Sequence, residues 1–159
     1  MVDRITPSDS SARINNPKIV KAQNGIEDPC TVITEHSRCW VIENTQSKKG
    51  DIPEALKDIE GVVLTDHPAP MELAKIRSLN GAHVAVGVIG HLMGYSLARD
   101  AMKDSQIKAF IGRFIDDSLE SLPESHGTPH SGYSRKTTLS RIANLHLEDS
   151  LTRLPRDCS

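Results

Sequence analysis

The 159-residue sequence predicts a mostly α-helical α+β fold, with a few short strands confined to its N-terminal part. Three observations predict it. Short β-prone runs occur only before Asp66, and the pattern turns helical from Pro68 onward. A long, nearly uncharged run, VAVGVIGHLMG (84–94), continues that helical pattern to about Gly94. Finally, Ile107, Phe110, Ile111, Phe114, Ile115 and Leu119 recur at helical spacing. The length fits one compact domain, 1–159, able to bury a sizeable core.

The elements follow in order. The opening, DRITPSDSSARINNP, is polar and turn-rich and leads into a short helix ending near Asn24-Gly25, where glycine serves as a C-cap. TVITE (31–35) and CWVIE (39–43) read as strands. The loop QSKKGD precedes a small turn or helix at 52–56, and GVVLTD (61–66) reads as another strand. Asp66 or His67 then caps a helix, with Pro68 or Pro70 in its first turn and Glu72 at the positive end of its dipole. That helix runs to about Gly94 and is followed by SLARDAMKD and by SQIKAFIGRFIDDSLESL. The loop PESHGTPHSG breaks the run. Two shorter helices finish the chain, over 134–143 and 147–154.

Composition excludes several classes. Nineteen basic and 21 acidic residues leave a net charge of −2, and aromatics make up 3%, so neither phosphate neutralisation nor base stacking favours nucleic acid. No segment has the ~18 uninterrupted apolar residues of a membrane span. The first twenty residues lack a secretory signal's order of basic then apolar residues. Cys30, Cys39 and Cys158 form no CxxC pair and read as reduced thiols of a cytoplasmic protein. His126 and His130 stand four apart around Gly and Pro, in a loop poorly suited to a metal.

The stretch KIRSLNGAH (75–83) is the most informative. At ~100° per residue, Asn80 lies roughly 140° and His83 roughly 80° around the axis from Lys75, so the three share one face. Glu72 lies near that sector, and Gly87, Gly90 and Gly94 continue it, allowing close approach by a backbone or a ligand. Val84, Val88 and Leu92 are expected to point away, toward an apolar environment. A lysine among apolar neighbours can act as a general base near neutral pH. An asparagine amide can donate to an oxygen as it becomes an alkoxide or carbonyl, and a histidine can orient either partner. The set suits proton abstraction from an alcohol without a metal. Spacing alone equally admits a snorkelling lysine, an Asn cap and a satisfied core histidine.

MVDRITP, then E-x-x-R-x-W-V-I-E (35–43), then E-L-x-K-x-R-x-L-N-G-x-H (72–83) occur in an order that resembles the mannitol dehydrogenase family of long-chain polyol dehydrogenases and hexuronate reductases. The likeness continues through GYSLARDAM and F-x-x-R-F to the last helices. It implies a C-terminal domain of the 6-phosphogluconate-dehydrogenase-like type, which supplies the catalytic groups. A separate Rossmann domain would bind NAD or NADP. The implied reaction is metal-independent hydride transfer between a polyol and a ketose, or on a hexuronate. The resemblance implies Lys75 as general base, Asn80 as donor to the reacting oxygen and His83 as holder of substrate hydroxyls. It also implies Glu72 as gate for proton exit, with Asp3 and Arg153 as substrate ligands.

The departures are specific. No G-x-G-x-x-G run follows a strand, so the dinucleotide-binding half is not expected here, and both ends read as cut from something longer. Where relatives usually carry N-G-S-H-S-A-L-A-Y-L-G, this chain reads N-G-A-H-V-A-V-G-V-I-G, losing two serine hydroxyls. The sequence therefore predicts the catalytic and substrate-binding half of such an oxidoreductase, inactive alone; a non-catalytic binding module or a truncated relic is the alternative.

Overall fold

The computed structural model describes residues 4–5, 21, 25, 39–43, 54–122 and 133–157. The chain divides between Asp66 and His67 into two units, at the point where the sequence pattern changes from strand to helix.

In the first unit, β1 (Arg4–Ile5), β2 (Trp40–Glu43) and β3 (Val62–Thr65) form a sheet in that order. β2 pairs antiparallel with β1, Val41 facing Arg4, and parallel with β3, Trp40 facing Val62 and Glu43 facing Thr65. Successive strand residues point to opposite faces, so burial of both Val41 and Ile42 makes β2 a strand covered on its two sides. The β-branched runs at 39–43 and 61–66 thus form the expected strands. β1 was not expected, because two residues within a polar opening carry no alternation to read. A three-residue 3₁₀ turn, Glu54–Leu56, stands where a small turn or helix was expected. Gly25, at φ 68, donates its N–H to the Lys21 carbonyl at 2.9 Å, as a glycine C-cap does. The expected strand at 31–35 lies outside the described residues.

The second unit is helical. Helix α1 (Ala69–Ala74) begins after Pro68, with Pro70 in its first turn. Neither Asp66 nor His67 caps it. Pro68 occupies the cap position in helical conformation (φ −73, ψ −23), whereas a side-chain cap needs an extended backbone there. A wide π turn, Lys75–Asn80, continues directly into α2 (Gly81–Leu92), which ends before Gly94 at φ 89. α3 (Ala98–Ala101) is a single turn. α4 (Ser105–Glu120) is capped by the Asp104 carboxylate, which accepts from Gln106 N at 2.8 Å and Ile107 N at 3.2 Å. α5 (Arg135–Ile142) is capped by Ser134 Oγ, which accepts from Thr137 N at 3.2 Å. α6 (Leu154–Asp157) closes the described chain.

Ile107, Ile111 and Ile115 of α4 pack with Val86 of α2, Ala101, Met102, Ile142 and Leu151 to form the main core. A smaller cluster, Ala74, Leu79 and Tyr133, lies under the π turn. No described helix is long and apolar enough to cross a membrane.

Two expectations are corrected. The segment 147–153 is not helical: Ser150 bridges Leu97, Ala98 N donates to Asp149 O (2.9 Å) and Leu151 N to Ser96 O (3.0 Å). Its backbone groups are spent on the 96–98 loop, and Pro155, which lacks an N–H, fits only the first turn of the helix that follows. Val88 and Leu92 are not covered either; they are 46% and 79% exposed. The glycine side of α2 is the one that packs.

Candidate active site

The site is built on one continuous helical run, 69–92. Its middle, Lys75–Asn80, is wound more loosely than an α-helix, and Gly81 N–H donates to the Ile76 carbonyl five residues back. In an α-helix residues five apart sit roughly 140° apart around the axis. A turn closed by bonds spanning five residues is wider, so it brings residue 80 round closer to the line of residue 75. The structure therefore aligns Lys75 and Asn80 more closely than regular spacing suggests.

The π turn is fixed from inside and outside. Ser78 is buried, and its Oγ–H donates to the Ala74 carbonyl at 2.6 Å. Leu79 and Ala74 pack on Tyr133. On the outer side Arg77 Nη1 donates to the Ser121 carbonyl (3.1 Å) and Oγ (3.2 Å), tying the turn to the end of α4. Between these faces Lys75 and Asn80 are half-buried. Glu72 is half-buried too, three residues before Lys75 in the first turn of α1. Gly81 brings Phe114 of α4 close; a Cβ there would sit 3.1 Å from the ring.

His83 follows in the first turn of α2. Burial, the largest influence, pushes its pKa down to about 4; Arg141 and Arg153 push the same way, while Asp149 and a hydrogen bond to the Leu79 backbone oppose. At neutral pH the ring is uncharged: one nitrogen donates to the Leu79 carbonyl and the other is an acceptor. An acceptor nitrogen suits a substrate hydroxyl.

One turn after His83, Gly87 and Gly90 act as expected, whereas Gly94, past the end of α2 at φ 89, has no described neighbour within 4 Å of where its Cβ would be. A Cβ on Gly87 would lie 2.9 Å from Pro155 and 3.2 Å from the Leu151 carbonyl oxygen; one on Gly90 would lie 2.8 Å from Leu151 Cδ1. Their bare backbone admits the 149–156 segment. That segment carries Arg153, whose Nη2 donates to the buried Asp149 Oδ1 at 2.6 Å. Beside it lies a shallow cavity of about 320 Å³, lined by Gly87, Val88, Leu92, Leu151 and Pro155 among others.

Lys75, Asn80, His83 and Glu72 thus occupy one helical run, and Arg153 lies in the electrostatic surroundings of His83. Asp3 lies outside the described residues, as do His126, His130, Cys30 and Cys158. Asp149 stands four residues before Arg153, a spacing that is an ion-pair signal in the sequence. Its burial could not be read locally.

The described strand-to-helix junction, Thr65 to Ala69, holds Asp66, His67 and Pro68 and no glycine. The residues there do not fit a dinucleotide pyrophosphate, which needs a close backbone approach.

Known proteins resemble this arrangement. A mannitol 2-dehydrogenase of Aspergillus niger is 32% identical over 161 residues, covering 97% of this chain and 31% of the relative. The crystal structure of a D-sorbitol dehydrogenase in substrate-free form superposes with a TM-score of 0.76 at 30% identity, over 97% of this chain and 30% of that one. The ternary complex of Pseudomonas fluorescens mannitol 2-dehydrogenase with NAD and D-mannitol gives 0.70 at 31% identity, again over 97% and 30%. The chain spans about a third of the length of these relatives. Residues 68–159, more than half of the chain, match the mannitol dehydrogenase C-terminal domain, so this chain belongs to the mannitol dehydrogenase family.

Proposed function

We propose that this chain is the catalytic and substrate-binding half of an NAD(P)-dependent, metal-independent oxidoreductase that interconverts a polyol and a ketose, or acts on a hexuronate. The observation that supports this most is the π turn, which opens on half-buried Lys75 and closes on half-buried Asn80, with uncharged His83 directly after it.

Lys75, in its neutral form, takes the proton from the substrate hydroxyl at Nζ. Asn80 donates its amide N–H to the same oxygen as negative charge develops there and gives way to a carbonyl. His83 accepts a hydrogen bond from a neighbouring hydroxyl through its free ring nitrogen, and Arg153 donates to another. Glu72, one turn before Lys75, passes the proton on to solvent; Asp3 contributes a further hydroxyl contact. Oxidation of the carbinol also needs a hydride acceptor, NAD or NADP, held by a Rossmann domain.

By itself the chain is expected not to turn over, because nothing among the described residues holds the acceptor at the carbinol carbon. The test joins the chain to the cofactor-binding portion of the P. fluorescens enzyme and follows NAD(P)H formation with mannitol, sorbitol, arabinitol and hexonates. Turnover in the chimera should fall ~10²–10⁴-fold with Lys75→Met, at nearly constant polyol KM. Undiminished turnover in Lys75→Met, or brisk turnover by the chain alone, contradicts the reading.

A further inference from the structure

The Asp149 carboxylate is buried, an unusual place for a charge without a task. Its backbone is clamped on both sides: its carbonyl accepts from Ala98 N at 2.9 Å, Ser150 bridges Leu97, and Leu151 N donates to Ser96 O at 3.0 Å. The next residues are pressed onto the bare glycine face of α2, where Pro155 and the Leu151 carbonyl meet Gly87. His83 stands one helical turn before Gly87 on that helix. From this fixed base Asp149 Oδ1 accepts from Arg153 Nη2 at 2.6 Å, a short charge-assisted bond. Arg153 keeps 29% of its side-chain surface in solvent while Asp149 keeps 8%, so the pair has an anchored acidic end and an accessible basic one.

We propose that Asp149 is a positioning residue of the polyol site: its clamped, buried carboxylate holds the Arg153 guanidinium beside His83, so that both engage the same substrate. The inference rests on the reading of this site as a polyol site. An arginine has several rotatable bonds, and an untethered one would lose them on each binding event; the carboxylate fixes the guanidinium beforehand. A neutral histidine accepting and a fixed arginine donating form a complementary pair for two hydroxyls of one polyol.

The full chain is compared with Asp149→Asn. The Arg153 Nη–H nuclear magnetic resonance signal, assigned by its loss in Arg153→Lys, should be sharp and slow to exchange in the wild type and vanish in Asp149→Asn, the remaining spectrum keeping its dispersion. Binding of mannitol or sorbitol, followed by ligand titration, should weaken about tenfold or more. The exchanged pair Asp149→Arg with Arg153→Asp should recover thermal stability without recovering polyol binding, because the guanidinium then sits on the wrong side. An Arg153 signal unaltered in Asp149→Asn, or polyol binding restored by the exchanged pair, overturns the proposal and leaves a purely structural ion pair. Should Asp149→Asn not fold, Asp149→Glu is read in the same way: it moves the charge by one methylene, and wild-type signal and affinity there also overturn it. A wild-type chain that binds no polyol counts against the polyol-site reading, while the Arg153 signal still decides the positioning.

Discussion

One face of α2 carries Val88 and Leu92, both exposed; another carries Gly87 and Gly90, both buried against Leu151 and Pro155. Hydrophobicity alone would have assigned the core to the first. Packing chose the second, because a helix face bare of side chains lets a neighbouring segment approach its backbone. That approach carries Arg153 into the surroundings of His83. The contrast teaches that on this helix Gly87 and Gly90 mark the packed contact, while Val88 and Leu92 mark only a surface.

The largest effect should come from removing what the glycines receive. Leu151 is 1% exposed and lies on Gly90, so Leu151→Ala should cost ~2–5 kcal/mol in urea unfolding and loosen the segment that carries Arg153. A loss below the cost of an ordinary surface change would mean that the segment does not depend on the glycine face.

His83, at the head of that face, gives a pH signature. Its folded pKa, about 4, lies below the ~6.5 of an unfolded histidine. Between these values the unfolded chain binds more protons, so stability falls as pH drops through this window. The groups around the ring are Asp149, Arg141 and Arg153. At 1.36 kcal/mol per unit, discounted for the ring's partial exposure, the loss is about 2–3 kcal/mol. Urea unfolding at neutral and mildly acidic pH should show it in the wild type and show it diminished by that amount in His83→Gln.

The smallest and sharpest test pairs the two faces directly. A methyl on Gly90 meets Leu151 Cδ1 at 2.8 Å and Ala101 Cβ at 3.0 Å; overpacking of this kind costs ~1–3 kcal/mol against a helix-propensity gain of ~1. Gly90→Ala should therefore destabilise by about 1 kcal/mol, although alanine is the better helix former. Leu92→Ser, on the exposed face, should stay within about 0.5 kcal/mol. If Leu92→Ser proved the costlier change in thermal unfolding, the assignment of faces would be wrong.

Much of the fold was legible because it rests on local patterns. The runs at 39–43 and 61–66 became strands, Gly25 closed its turn as a C-cap does, and the isoleucines of α4 turned inward at the expected spacing. The mostly helical class with a few short strands holds. What failed depended on distant partners. The segment 147–153 has helical composition, yet its backbone bonds are taken by residues 96–98. Pro68 displaced the expected side-chain cap by entering the helical conformation itself.

For the candidate site, the sequence by itself determined which side chains stand together: Glu72, Lys75, Asn80 and His83 lie on one short stretch, and their order carries the family likeness. It also determined, through Gly87 and Gly90, that something could come close. Only the tertiary structure decided what came close, and how the stretch is wound. A π turn differs from an α turn by one hydrogen-bond register, which no single residue type dictates; it is held here by Ser78 on Ala74 and by Arg77 on Ser121. Likewise Asp149 is an ordinary acidic residue in the sequence. It becomes a buried anchor for Arg153 because the glycine face of a helix some sixty residues away has room for its segment.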